Sequence, residues 1–159
     1  MDNIKISIIQ TELVWENKTA NLKHFEACLK QVPKESKLVI LPEMFTTGFS
    51  MNPKIFAEKV TGNSVDWMRN QAAELNKNIV GSLIIEEDEK YYNRLIWMKP
   101  NGEFESYDKR HCFRYANEHL HYTGGSEELI INLNGWKISC YICYDLRFPV
   151  WSRNTNLKY

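Results

Sequence analysis

Residues 91–107 read YYNRLIWMKPNGEFESY. Two β-rich runs, 91–99 and 103–107, flank Pro100-Asn101-Gly102, whose Asn-Gly pair suits the positive φ angles of a tight hairpin turn. Upstream the pattern changes. Residues 79–85 (IVGSLII) form another apolar run, and before it Val65, Met68, Ala72 and Leu75 share one helical face with Ser64 placed to cap it. Residues 37–41 (KLVIL) make a short β-rich run ended by Pro42, with a loop rich in Thr, Gly and Ser to about Asn52. Earlier still, Leu22, Phe25, Leu29 and Val32 recur at three- and four-residue spacing after an Asn17 cap, which predicts a surface helix with one inward stripe. In residues 4–10 (IKISIIQ) apolar alternation breaks at Ile9, predicting a strand buried mostly on both faces near the sheet centre. Downstream, Asn134-Gly135 sets a second hairpin between residues 129–133 and 136–142. The order therefore begins as βαβαβ and continues as hairpins, an α/β layered fold with a mixed sheet. With no repeat, linker or low-complexity tract, residues 1–159 read as one domain.

Composition narrows the function. With 159 residues, 43% hydrophobic and 13% aromatic, the chain can bury one substantial core. Lys plus Arg and Asp plus Glu both total 20, so long-range attraction favours neither nucleic acid nor an anionic membrane, and a small ligand fits better. The start has no basic region followed by a long apolar stretch, and no run approaches the roughly 20 apolar residues of a membrane span, so the expectation is a soluble cytoplasmic protein. Four cysteines (Cys28, Cys112, Cys140, Cys143) are too few and too unevenly placed for a disulfide scaffold. In a reducing compartment they stay thiols, and one of them is free to be reactive.

Three short stretches concentrate chemistry: Leu41-Pro42-Glu43-Met44-Phe45, Tyr107-Asp108-Lys109-Arg110-His111 and Cys143-Tyr144-Asp145-Leu146-Arg147-Phe148-Pro149. Each begins where a predicted strand ends, and active sites of open α/β sheets collect at carboxyl ends of strands. A thiol of pKa ~8.5 is only slightly ionised at neutral pH, so Cys143 needs a base or a cation. Glu43 suits the base and Lys109 the cation. When a thiolate adds to an amide carbonyl, negative charge moves onto oxygen, where the Lys109 ammonium and the Tyr144 N–H can meet it. Glu43 can then return the proton to departing ammonia and activate the water that hydrolyses the thioester.

Each residue alone has a plainer reading. Glu43 is a solvated loop carboxylate, Lys109 part of a basic patch with Arg110 and Arg114, and Cys143 an inert packed thiol. Cys140 and Cys143 form a C-x-x-C pair, with His111, Cys112, His119 and His121 as further ligands of a zinc hydrolase, but residues three apart in a strand face opposite sides and no second pair follows. Arg110, Arg114 and Arg147 suit an anionic substrate tail, and Arg147 suits equally a tie to Asp145. Phe45, Phe49, Phe113, Tyr115 and Trp151 line either a pocket or the core.

Taken together, LPEMF, YDKRH and CYDLRFP resemble the three signature segments of the nitrilase superfamily, the carbon–nitrogen hydrolases with a Glu-Lys-Cys triad. The run Asp108 to His111 through Asn117-Glu118-His119, with Tyr141 to Arg153 after it, resembles the omega-amidase branch, which deamidates 2-oxo acids. The resemblance implies an αββα sandwich, dimerisation, and neither metal nor organic cofactor. It implies Glu43 as base, Lys109 as oxyanion stabiliser, Cys143 as nucleophile and Glu118 as an assisting carboxylate. Tyr144, Arg147 and Phe113 are the substrate-binding candidates. Family members extend further, so residues 1–159 match the N-terminal portion of the domain. The expected activity is hydrolysis of the terminal amide of a small 2-oxo dicarboxylic acid monoamide, releasing ammonia. The alternatives are another carbon–nitrogen substrate (nitrile, carbamoyl or simple amide) and a catalytically silent binding module.

Overall fold

The computed structural model describes residues 3–155 and 157–159. Strand β1 (Ile6–Ile8) leads through helix α1 (Lys18–Leu29) to β2 (Leu38–Ile40), the short helix α2 (Pro53–Phe56) and helix α3 (Asn63–Leu75). Strands β3 (Asn78–Glu87), β4 (Lys90–Met98) and β5 (Phe104–Asp108) follow, then β6 (Ile130–Leu133), β7 (Trp136–Ser139) and the short α4 (Pro149–Ser152). The first five strands form one sheet in sequence order, and β6 and β7 form a second. Strand β2 pairs in parallel with β1 and β3, whereas β4 pairs antiparallel with β3 and β5, so the sheet is mixed as the hairpin reading requires.

Helix α1 begins where the Asn17 side chain accepts the Ala20 N–H, and it buries Phe25 and Leu29. Leu22 and Val32 pack partly against the same core, with Val32 just past the helix end. Helix α3 buries Val65, Met68 and Ala72, but its cap differs from the expectation. Gly62 occupies the cap position, and Glu58 instead takes up the Ser64 N–H and hydroxyl. A carboxylate from outside the helix thus satisfies a donor that the first turn cannot.

One core, with Phe25, Phe45, Met68, Leu83 and Ile96, lies between the helices and the large sheet. A second, with Leu38, Val80, Trp97, Ile131, Cys140 and Ile142, lies between the two sheets. Each fully buried side chain of this kind contributes about 1.5–3 kcal/mol. The layers are therefore helices, sheet, sheet.

Three details correct the sequence reading. Strand β1 is an edge strand of the described sheet, with Ile6 45% and Ile8 73% exposed. Strand alternation puts those two side chains on one face, which the described elements leave uncovered, and Ile9 is the residue that reaches the core. At Pro100-Asn101-Gly102 only Gly102 takes a positive φ, +85°, so the connection is a three-residue loop closed by Gly102 N–H to Lys99 O at 3.0 Å. The two-residue form occurs at Asn134-Gly135, φ +53° and +83°, and at Asp88-Glu89, φ +49° and +59°, which joins β3 to β4 with no glycine to announce it. Among the described residues, no helix is long and apolar enough to cross a membrane.

Candidate active site

Strands β2, β3 and β5 run the same way, so their carboxyl ends meet at one end of the sheet, where the antiparallel β4 begins. Glu43 lies just beyond β2 and Lys109 directly follows β5, anchored by its N–H to Asn93 O at 3.0 Å. The Lys109 side chain is 1% exposed. Its Nζ donates to Glu43 Oε1 at 2.8 Å and stands 2.9 Å from Glu118 Oε2, with Glu118 wholly buried. It also sits 5.0 Å from the centre of the Phe49 ring. An isolated buried ammonium costs several kcal/mol, which only close opposite charges can offset. Burial works against the charge of Lys109, but Glu43 and Glu118 outweigh it and hold its pKa above the ordinary lysine value.

The same two carboxylates share a donor that sequence reasoning missed. Asn93, buried on β4, donates through Nδ2 to Glu43 Oε1 at 2.7 Å and to Glu118 Oε1 at 3.3 Å. Its signal was available as the polar pair Asn93-Arg94 interrupting an apolar strand. Glu118 further accepts the Phe113 N–H, which seats the Phe113 ring 5.0 Å from that of Tyr144 and 6.5 Å from that of Phe49.

Cys143 heads a tight helical turn, Cys143–Arg147, and is exposed. Its φ is +42°, the left-handed region, at a cost of order 1–3 kcal/mol for a residue other than glycine. Met44, beside Glu43, shares that conformation at +46° and is pinned by its N–H to Ser82 Oγ at 2.8 Å. Both strained residues therefore flank the same site. Cys143 and Glu43 line one open cleft of about 370 Å³ together with Ser82 and Tyr141. Desolvation pushes the Cys143 thiol up, the Glu43 carboxylate adds to this, and Lys109 pulls the other way without prevailing. With its pKa raised, the thiol keeps its proton near neutral pH, and a base has to take it.

In the helical turn the Asp145 N–H is taken up by Ile142 O at 3.1 Å, and the Tyr144 N–H precedes it in the first turn, where helical partners are lacking. The Tyr144 ring packs against those of Phe113 and Phe148. Arg147 is exposed and does not tie to Asp145, which is claimed by Tyr107, His111 and Ile142. Arg110 lies 4.2 Å from the Trp151 ring, and Arg110, Arg114 and His119 rim a cavity of about 890 Å³ shared with Tyr144 and Phe148. Phe45 belongs to the core and Tyr115 is 88% exposed. Cys140 points into the inter-sheet core while Cys143 is exposed, so the two do not face a common ligand. Among the described residues, no group of three or more His, Cys, Asp or Glu is placed to hold a metal ion.

The arrangement offers a protonated thiol, a carboxylate within its cleft and a buried ammonium beside that carboxylate, a set suited to addition at an acyl carbon. Comparison with known proteins agrees. Residues 5–158 match the family described as Carbon-nitrogen hydrolase. The chain is 42% identical to omega-amidase YafV of Escherichia coli over 98% of its own length and 60% of that protein. It is 31% identical to 2-oxoglutaramate amidase of Bacillus subtilis over 96% of this chain and 60% of that one. A CN-hydrolase superfamily protein of Xanthomonas campestris, solved with an arsenic adduct in its active site, superposes with a TM-score of 0.93 at 43% identity over 97% of this chain and 58% of that chain. The chain spans about three fifths of the length of the curated relatives it matches.

Proposed function

We propose that this chain, which belongs to the carbon–nitrogen hydrolase family, is the N-terminal portion of that domain in an amidase that hydrolyses the terminal amide of small 2-oxo dicarboxylic acid monoamides. The observation that carries the reading is the Lys109 ammonium held between Glu43 and Glu118 beside the Cys143 cleft. In this mechanism Glu43 takes the Cys143 proton as Sγ bonds to the amide carbon. The oxyanion is met by Lys109 Nζ and the Tyr144 N–H. The C–N bond breaks as Glu43 gives its proton to the leaving nitrogen, which departs as ammonia. Glu43 then deprotonates water, which attacks the thioester, and the C–S bond breaks to regenerate the thiol. Glu118 and Asn93 hold Lys109 and Glu43 in place, and Tyr144, Phe113 and Arg147 contact the substrate. The same reading makes the protein a cytoplasmic homodimer; four free cysteines support the compartment, and the dimer rests on family resemblance.

The test is incubation of the purified protein with 2-oxoglutaramate, following ammonia and the mass of Cys143 after acid quench. One ammonia per amide and an acyl adduct on Cys143 are expected. Turnover of a nitrile or simple aliphatic amide with none of 2-oxoglutaramate would overturn the substrate assignment.

A second prediction separates base from cation. Glu43 raises the Cys143 pKa both by its charge and by a hydrogen bond, so Glu43→Gln should lower that pKa and move iodoacetamide alkylation of Cys143 to lower pH. Turnover should nevertheless fall about 10²–10⁴-fold, because the general base is gone. Slower alkylation at neutral pH in the variant would mean that Glu43 activates the resting thiol instead.

A further inference from the structure

Asp145 is wholly buried two residues after Cys143, and no step above uses it. A carboxylate has roughly four lone-pair positions for hydrogen bonds, and here all are filled. Oδ1 accepts the His111 N–H at 2.9 Å and pairs with His111 Nδ1 at 2.8 Å, while Oδ2 accepts the Tyr107 hydroxyl at 2.7 Å and the Ile142 N–H at 3.1 Å. No acceptor position is left for substrate, so Asp145 does not act on the reacting atoms.

Its partners are two backbones and two side chains with a common geometry. Tyr107 and His111 bracket Lys109 by two residues on either side, and Ile142 immediately precedes Cys143. The further contacts run between the same two segments. The Tyr107 hydroxyl accepts Trp151 Nε1–H at 3.2 Å, and the His111 ring stacks on Phe148, which ends the Cys143 turn, at 3.7 Å between ring centres. The left-handed backbone at Cys143 is maintained only if its surroundings over-determine it. One buried carboxylate thus joins the strand end that carries the ammonium to the turn that carries the thiol, although one follows β5 of the large sheet and the other follows β7 of the small one.

We propose that Asp145 is a positioning residue that fixes the Cys143 thiol relative to the Lys109 ammonium. It rests on the reading of those two as nucleophile and oxyanion stabiliser, but not on which amide is the substrate. Loss of the clamp lets the turn relax away from Lys109. A misplacement of about 1 Å is enough to lower catalysis on the order of 10²-fold.

The experiment compares Asp145→Asn and Tyr107→Phe with the parent protein, each first shown folded by circular dichroism. For Asp145→Asn, kcat should fall about 10²-fold with KM within about threefold. The pH midpoint of Cys143 alkylation by iodoacetamide should fall, because the thiol moves away from a cluster in which Glu43 and Glu118 raise its pKa more than Lys109 lowers it. Tyr107→Phe removes one of the four bonds to Asp145, together with those its hydroxyl accepts from Trp151 and Arg110, and should give a smaller change in the same direction. Alkylation needs no substrate, so it reports on the clamp even where 2-oxoglutaramate is not turned over. A lower melting temperature with unchanged kcat and unchanged alkylation profile would overturn the proposal and leave Asp145 as a fold anchor. If Asp145→Asn does not fold, Tyr107→Phe decides: a parental kcat and profile in that variant overturn it equally.

Discussion

Cys143→Ala is expected to abolish ammonia release, lowering kcat by at least about 10⁴-fold, because removal of a nucleophile leaves only binding and oxyanion stabilisation. The unfolding midpoint should stay close to that of the parent protein, since the side chain is exposed and alanine meets the same left-handed backbone. No other thiol in the site can substitute. Burial pushes Cys112 up to about 11 and Cys140 up to about 12, and Cys140 points into the inter-sheet core. Cys28 lies on α1, on the other side of the large sheet from β6 and β7. Ammonia release at the parental rate in Cys143→Ala would remove the thioester from the mechanism.

Lys109→Met should act on stability as well as turnover. Methionine fits the stem of lysine but leaves Glu43 and Glu118 facing one another with no cation, 21% exposed and wholly buried respectively. Removing one partner of a buried ion pair costs about 3–5 kcal/mol, which urea unfolding reads directly. Catalysis should drop at least about 10²–10³-fold, the cost of losing one preorganised oxyanion donor. The pH dependence has a definite sign. Lys109 in the folded protein binds its proton more tightly than in the unfolded chain, so its contribution is complete below the ordinary value of 10.5 and is lost as pH rises through its elevated folded value. The stability gap between parent and variant should therefore be constant around neutrality and close at strongly alkaline pH. A gap that widened on the alkaline side would contradict the buried ion-pair assignment.

The elements legible in the sequence are those in which local chemistry and tertiary packing agree. The α1 stripe, the Asn17 cap and the Asn134-Gly135 turn each follow from residues within one turn of each other. The three strand-end motifs were legible because Glu43, Lys109 and Cys143 need fixed neighbours to be aimed. What remained hidden depends on partners distant in the chain. Asn93 reads as an interruption of a strand until Glu43, 50 residues earlier, and Glu118, 25 later, are seen on its amide. Asp145 reads as a partner for Arg147 nearby, whereas it is claimed by Tyr107 and His111. The edge place of β1 is not legible in its residues, because an apolar run reports affinity for cover and not where the cover comes from.

The change from parallel to antiparallel pairing at β3 has a consequence for the order of folding. Strands β3, β4 and β5 are joined by two- and three-residue connections, so their pairing closes short loops, whereas β1, β2 and β3 meet only after α1 and α3 have been spanned. Chain closure over longer separations is entropically dearer and slower. Asn93 and Lys109 therefore come together early on the meander, while Glu43, at the end of β2, and Cys143, beyond β7, arrive through distant contacts. Until they do, the Lys109 ammonium should stay hydrated, so its full burial is expected late in folding.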